Sequence, residues 1–164
     1  MEFISIDWGV VVSDFIRILL AFVLAVPIAW ERVRSPRNLG LRTFPIVATA
    51  SAGFVLVARS LPEIGPEGLA RVIQGLIAGI GFIGGGAILK EGLDVHGLAT
   101  AASVWNTGAI GAAVALDRYE IAVVLTLLNF LTLYFLTPVA NNFKGDSLME
   151  KGENGGGHET TRTA

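Results

Sequence analysis

As far as Val139 the chain consists of long apolar runs separated by short polar links. Five runs approach the roughly 20 residues that cross a hydrocarbon core. They extend from about Val10 to Trp30, Phe44 to Leu61, Val72 to Leu89, Leu98 to Leu116 and Ile121 to Val139. Links this short set neighbouring helices antiparallel, so the pattern predicts an all-α, polytopic transmembrane helix bundle with five up-and-down spans. After Pro138 the sequence turns to "NNFKGDSLMEKGENGGGHETTRTA", which has too little apolar surface to offset the entropy of ordering. Residues 1–140 are therefore expected to form the membrane domain and residues 141–164 a disordered polar cytoplasmic tail. His158 in that tail is read as a solvated side chain, not a metal ligand.

Composition strengthens the bilayer reading. Of the 164 residues 52% are hydrophobic and 16% charged, where a soluble domain carries about 25% charge. So few polar residues cannot build a water-facing surface over most of the chain, and lipid takes its place. The absence of cysteine excludes disulfides and thiolate metal sites.

The net charge of -2 matters less than where the cations lie. The first link, "ERVRSPRNLGLR", sets Arg32, Arg34, Arg37 and Arg42 against Glu31, whereas the second carries Arg59, Glu63, Glu67 and Arg71. The positive-inside rule then puts the first link in the cytoplasm. Alternation leaves the N-terminus outside, the 90–97 link inside, the link at Asp117 and Arg118 outside and the C-terminus inside. Glu2 and Asp7 stand where a signal peptide would be basic, so the first span is expected to be retained.

"GIGFIGGG" at 79–86 places Gly79, Gly81 and Gly84 at the spacing of a dinucleotide-binding turn. That fingerprint needs a preceding strand and a following helix, and neither pattern surrounds it. In a helix, Gly75, Ala78, Gly79, Gly85 and Gly86 share one sector, and Gly75 with Gly79 forms a small-xxx-small pair that admits a close neighbour. Packing is the favoured reading; local unwinding of Gly84, Gly85 and Gly86 to meet an ion is the alternative. In the fourth span Ala101, Ala102, Gly108, Ala109, Gly111 and Ala112 suit packing against the third.

Polar residues inside or beside the spans are the remaining candidates. Asp14 and Arg17 share a face of the first span, and Arg17 marks either a buried pair or a functional site. Glu31, Arg32, Arg42 and Thr43 form either a headgroup anchor or an ion-pair cluster facing Arg17 or the glycine helix. Arg71 and Gln74 open the third span, and Asn106 and Thr107 sit near the centre of the fourth. Glu91, Asp94 and His96, with Lys90, are read as a polar turn in preference to a cation site, Asp94 helping to cap the fourth helix.

The order "AWER" (29–32), "GLRT" (40–43), "RVIQGLIAGIGFIGGGAIL" (71–89) and "GLATAASVW" (97–105) closely resembles the MgtC/SapB family of bacterial inner-membrane proteins, from about Arg17 to the end of the fifth span. The resemblance carries over to Arg17, Glu31, Arg32, Gly40, Leu41, Arg42, Thr43, Arg71, Gln74, Gly79, Gly81, Phe82, Gly84, Gly86, Gly97, Leu98, Thr100, Ala101, Ala102 and Trp105. Phe44, Gly85 and Ala99 depart from the family pattern, and only a short tail, not the ACT-like domain of the virulence-factor members, is expected after the bundle. The resemblance implies a multi-pass protein of the bacterial inner membrane, tied to magnesium homeostasis, adaptation to low magnesium and sometimes virulence, and regulating membrane ATPases such as the ATP synthase.

These readings yield a functional polar cluster of Arg17, Glu31, Arg32, Arg42, Thr43, Arg71, Gln74, Thr100 and Asn106. A helix-packing or backbone site comprises Gly75, Gly79, Gly81, Gly84, Gly86 and Gly97. The leading expectation is a non-enzymatic regulator contacting a membrane ATPase or its own copies. The alternative is a small oligomeric transporter or channel for magnesium or another ion. No cofactor and no nucleic-acid partner is expected, and the metal, if any, stays open.

Overall fold

The computed structural model describes residues 7–33, 41–91 and 94–136. The expected tail at 141–164, and Arg34, Arg37 and Gly40 of the first link, lie outside the described residues. Helices stand where the apolar runs do: α1 (Trp8–Val33), α2 (Thr43–Ser60), α3 (Pro66–Gly86), α4 (Leu98–Ala115) and α5 (Tyr119–Leu136). Each is long and apolar enough to cross a membrane.

Helix ends follow local chemistry more than apolarity. Asp7 Oδ1 accepts the amide of Gly9 at 2.9 Å, giving a donor in the first turn of α1 its acceptor. α3 begins well before its apolar run, because Pro66 at the start needs no amide partner and Glu67 suits the positive helix end. Glu67 and Arg71, assigned to the second link by hydropathy, are therefore helical. Gly84, Gly85 and Gly86 are helical too, so the unwinding considered for them is not seen. The chain leaves α3 at Ala87, whose amide bonds Gly84 O at 3.0 Å.

The link at 90–97 is not the simple polar turn expected. β1 (Leu89–Glu91) and β2 (Asp94–His96) pair antiparallel, Lys90 opposite Val95 and Glu91 opposite Asp94. Asp94 thus belongs to a strand, and the N-cap position of α4 is held by Gly97, which has no side chain to cap it. Gly97 has φ 86°, and a Cβ there would lie 2.0 Å from Ala87 O. Backbone conformation and space both require glycine.

α2 and α4 form the centre, in contact with each other and with α1 and α3. α5 is tied to α4, where Asn106 Nδ2 donates to Leu125 O at 3.3 Å. Small residues let these helices approach, as membrane packing requires. Ala21, Ala25 and Ala29 recur at helical spacing on the buried side of α1. A Cβ on Gly111 would fall 2.1 Å from Ala48 O of α2, and one on Gly108 would fall 2.0 Å from Ile80 Cδ1 of α3. Gly111 therefore packs α4 onto α2, not onto the third span as its sequence suggested. Buried Ser51, Thr107 and Thr126 donate to Val47 O, Ser103 O and Ala122 O at 2.7, 2.7 and 2.9 Å, which satisfies them without a cross-helix partner. The outer surface carries exposed Phe54, Val57, Phe82, Leu128 and Phe135, an apolar covering suited to lipid.

Candidate functional site

The polar residues do not gather in one cluster. They divide between the two ends of the bundle, with Asn106 part-way along α4 and spent on the backbone of α5.

At the end where α2 and α4 finish, the chain turns through Asp117. Arg118 N bonds Ala113 O at 2.9 Å and Asp117 N bonds Val114 O at 3.1 Å, the hydrogen-bond pair of a Schellman helix end. The left-handed position of that motif ordinarily takes glycine; here it holds Asp117, with φ 60°. Its carboxylate explains the choice. Arg17 Nε of α1 donates to Asp117 Oδ1 at 2.9 Å, Arg59 Nη1 of α2 to Oδ2 at 2.9 Å, and the Tyr119 hydroxyl of α5 to Oδ1 at 2.9 Å. Arg59 also donates to Ala115 O, placing a cation on the negative end of α4. Arg17 completes the network through Ser13 Oγ at 2.6 Å and Asp14 Oδ1 at 3.3 Å. Hydrogen bonds from Arg59 above all, then from Arg17 and Tyr119, hold the Asp117 carboxyl down at about 2, below its ordinary 3.8.

Arg17 is therefore paired, and its partners lie at the rim of the bundle, not in its middle. Sequence reading treated Asp117 and Arg59 as link residues and gave Ser13 and Tyr119 no role. The available signal was an aspartate directly after an apolar run, where glycine usually ends a helix.

At the other end, Arg32 in the last turn of α1 is buried, with 9% of its surface exposed. Its Nη1 lies 3.4 Å from Thr100 Oγ1 in the first turn of α4, while its enclosed Nε has no acceptor among the described residues. Glu31 is partly exposed, Arg42 exposed and Thr43 half-buried where α2 begins. Further along α4, Ser103 Oγ lies 3.1 Å from Asn129 Oδ1 of α5, and the enclosed Asn129 Nδ2 has no partner among the described residues. None of this end faces Arg17. Arg71 and Gln74 are exposed on α3, toward the Asp117 end.

The glycines also divide. Gly84 packs on α4, a Cβ there reaching 3.1 Å from Ala101 O. Gly75, Gly79, Gly81 and Gly86 are exposed, and a Cβ on any of them would meet nothing within 4 Å among the described residues. Gly75, Ala78, Gly79, Phe82 and Gly86 share the face of α3 opposite Gly84. On another side of α3, a groove of about 320 Å³ against α4 is lined by Ile73, Ile77, Ile80, Trp105 and Ala112. Its lining is almost wholly hydrocarbon, with Arg118 the one charged residue among the described ones, and it offers a cation no side-chain ligand.

The sequence profile of the MgtC family matches residues 18–142. Protein MgtC of Salmonella typhimurium (strain LT2) is 33% identical over 138 residues, covering 84% of this chain and 58% of that protein. Protein SrpB of Synechococcus elongatus is 37% identical over 134 residues, with 71% of each chain covered. YhiD of Escherichia coli (strain K12), whose name marks it as a candidate magnesium transporter, is 35% identical over 123 residues, covering 69% of this chain and 57% of YhiD. The chain thus spans little more than half the length of the MgtC and YhiD relatives. No solved structure matches.

Proposed function

Because the chain belongs to the MgtC family, we propose that it is a magnesium-linked, non-enzymatic regulator that binds a membrane ATPase, such as the ATP synthase, through helix contacts. It is a multi-pass protein of the bacterial inner membrane. The arginine-rich first link puts the Arg32 end in the cytoplasm in this reading.

One observation supports contact by α3. Its face bearing Gly75, Ala78, Gly79 and Gly86 is exposed, a Cβ on those glycines meeting nothing within 4 Å among the described residues, and Phe82 beside it is 85% exposed. In lipid, helices associate by close backbone approach more than by burial from water, and this face offers bare backbone with one aromatic knob. A photocrosslinker at Ala78 in the full chain, expressed in a bacterial membrane, tests the reading. The expected adduct contains an ATPase subunit and is lost on Gly79→Leu. Absence of any ATPase adduct, or its persistence in Gly79→Leu, refutes it.

A second reading, an oligomeric magnesium transporter, is favoured by the name of YhiD. Proteoliposomes loaded with a magnesium-sensitive dye separate the two: the regulator gives no flux, the transporter a protein-dependent flux.

A further inference from the structure

The Arg32 end supplies several hydrogen-bond donors that meet no acceptor among the described residues. Among the described residues no acceptor meets the amides of Leu98, Ala99 and Thr100; the first amide of α4 to find one is Ala101, bonded to Gly97 O at 2.8 Å. A helix of 18 residues concentrates positive potential at those amides. The step from left-handed Gly97, at φ 86° and ψ -1°, into right-handed Leu98 turns successive amides toward a common point, the geometry of an anion-binding nest.

Arg32 supplies an independent observation at the same place. It is nine-tenths buried, reaches Thr100 Oγ1 with Nη1 at 3.4 Å and keeps an enclosed Nε without an acceptor. A guanidinium cannot shed its proton to relieve that burial, so an enclosed N–H calls for an external acceptor. The adjacent Glu31 carboxylate acts on the guanidinium through space without bonding Nε. The donors gathered here are a guanidinium, amides and a hydroxyl, a set that suits an anion. A tetrahedral oxyanion has enough acceptor oxygens to meet Nε and the amides together. Exposed Trp30 and Leu98 flank the site, setting it at the depth of lipid headgroups.

We propose that Arg32, Thr100 and the first turn of α4 form a binding site for a phosphate group, either free phosphate or an anionic phospholipid headgroup. The site is independent of the ATPase reading, which rests on α3. The purified full-length protein in a non-ionic detergent provides the test. Its melting is followed against inorganic phosphate and, separately, against phosphatidic acid, with phosphatidylcholine and potassium chloride of equal ionic strength as controls. The wild-type midpoint is expected to rise saturably with phosphate or with phosphatidic acid. A response to phosphate assigns the free ion as a ligand; a response to phosphatidic acid alone assigns the headgroup. Arg32→Gln is expected to weaken the apparent affinity about tenfold or more, Thr100→Val about threefold. Arg32→Lys, which keeps the charge but lacks Nε, is expected to fall between wild type and Arg32→Gln. If Arg32→Gln does not fold, the lysine and valine variants carry the comparison. No saturable response from the wild type to either ligand, or equal responses in wild type and variants, overturns the proposal.

Discussion

Replacing Asp117 by asparagine removes the charge that joins α1, α2 and α5 while leaving the turn intact. After glycine, asparagine and aspartate are the residues that best tolerate the left-handed backbone, so Asp117→Asn separates loss of the carboxylate from strain at φ 60°. The fall from 3.8 to about 2 corresponds to about 2.5 kcal/mol for a fully shielded group. The side chain is 37% exposed, and screening by solvent reduces that to about 1 kcal/mol. In a chain of this size the loss lowers the melting midpoint by about 2–4 °C. The folded carboxyl titrates below the unfolded one, so its stabilisation is present above 3.8 and is lost as the pH falls through about 2. Melting of both proteins in a non-ionic detergent should therefore show the widest gap near neutral pH, closing in strong acid. Asp117→Gly relieves the backbone but removes the same charge, and is expected to melt below wild type by a smaller margin than Asp117→Asn. A neutral-pH midpoint for Asp117→Asn equal to wild type, or a gap unaffected by pH, would refute this account of the network.

Two further outcomes follow from the packing and the connectivity. Gly111→Ala sets a Cβ 2.1 Å from Ala48 O and should cost about 1–3 kcal/mol by overpacking. Gly79→Ala meets open space and should be neutral or slightly stabilising in detergent, since alanine favours a helix; melting curves in the reverse order would contradict the assigned faces of α3 and α4. The chain has no cysteine, so Glu63→Cys and Lys90→Cys, which lie in links at opposite ends of α3, should label from opposite sides of the membrane with an impermeant reagent.

The spans were legible because bilayer thickness imposes a length and an apolarity that composition alone reveals. Helix ends were less so: Pro66 and Glu67 start α3 by satisfying a terminus, not by being apolar. The β1–β2 hairpin was hidden because strands this short carry no readable alternation. Periodicity correctly put Gly75 and Gly79 on one side of α3, yet it could not tell which side faces inward. The packed glycine is Gly84, on the opposite side, and it meets the backbone of α4. Arg17 was recognised as a charge needing a partner. Its main partner was not, because pairing across four helices depends on tertiary closure and leaves no local pattern.

That pairing also has a schedule. Arg17 and Asp117 are 100 residues apart in the chain, and at about 5–20 residues per second of synthesis Arg17 is made roughly 5–20 seconds before its main counter-charge. Ser13 and Asp14, bonded to Arg17 within its own helix, are made before it and are at hand throughout. They can shelter the nascent guanidinium until α4 and its turn arrive, and they stay in the network of the finished protein.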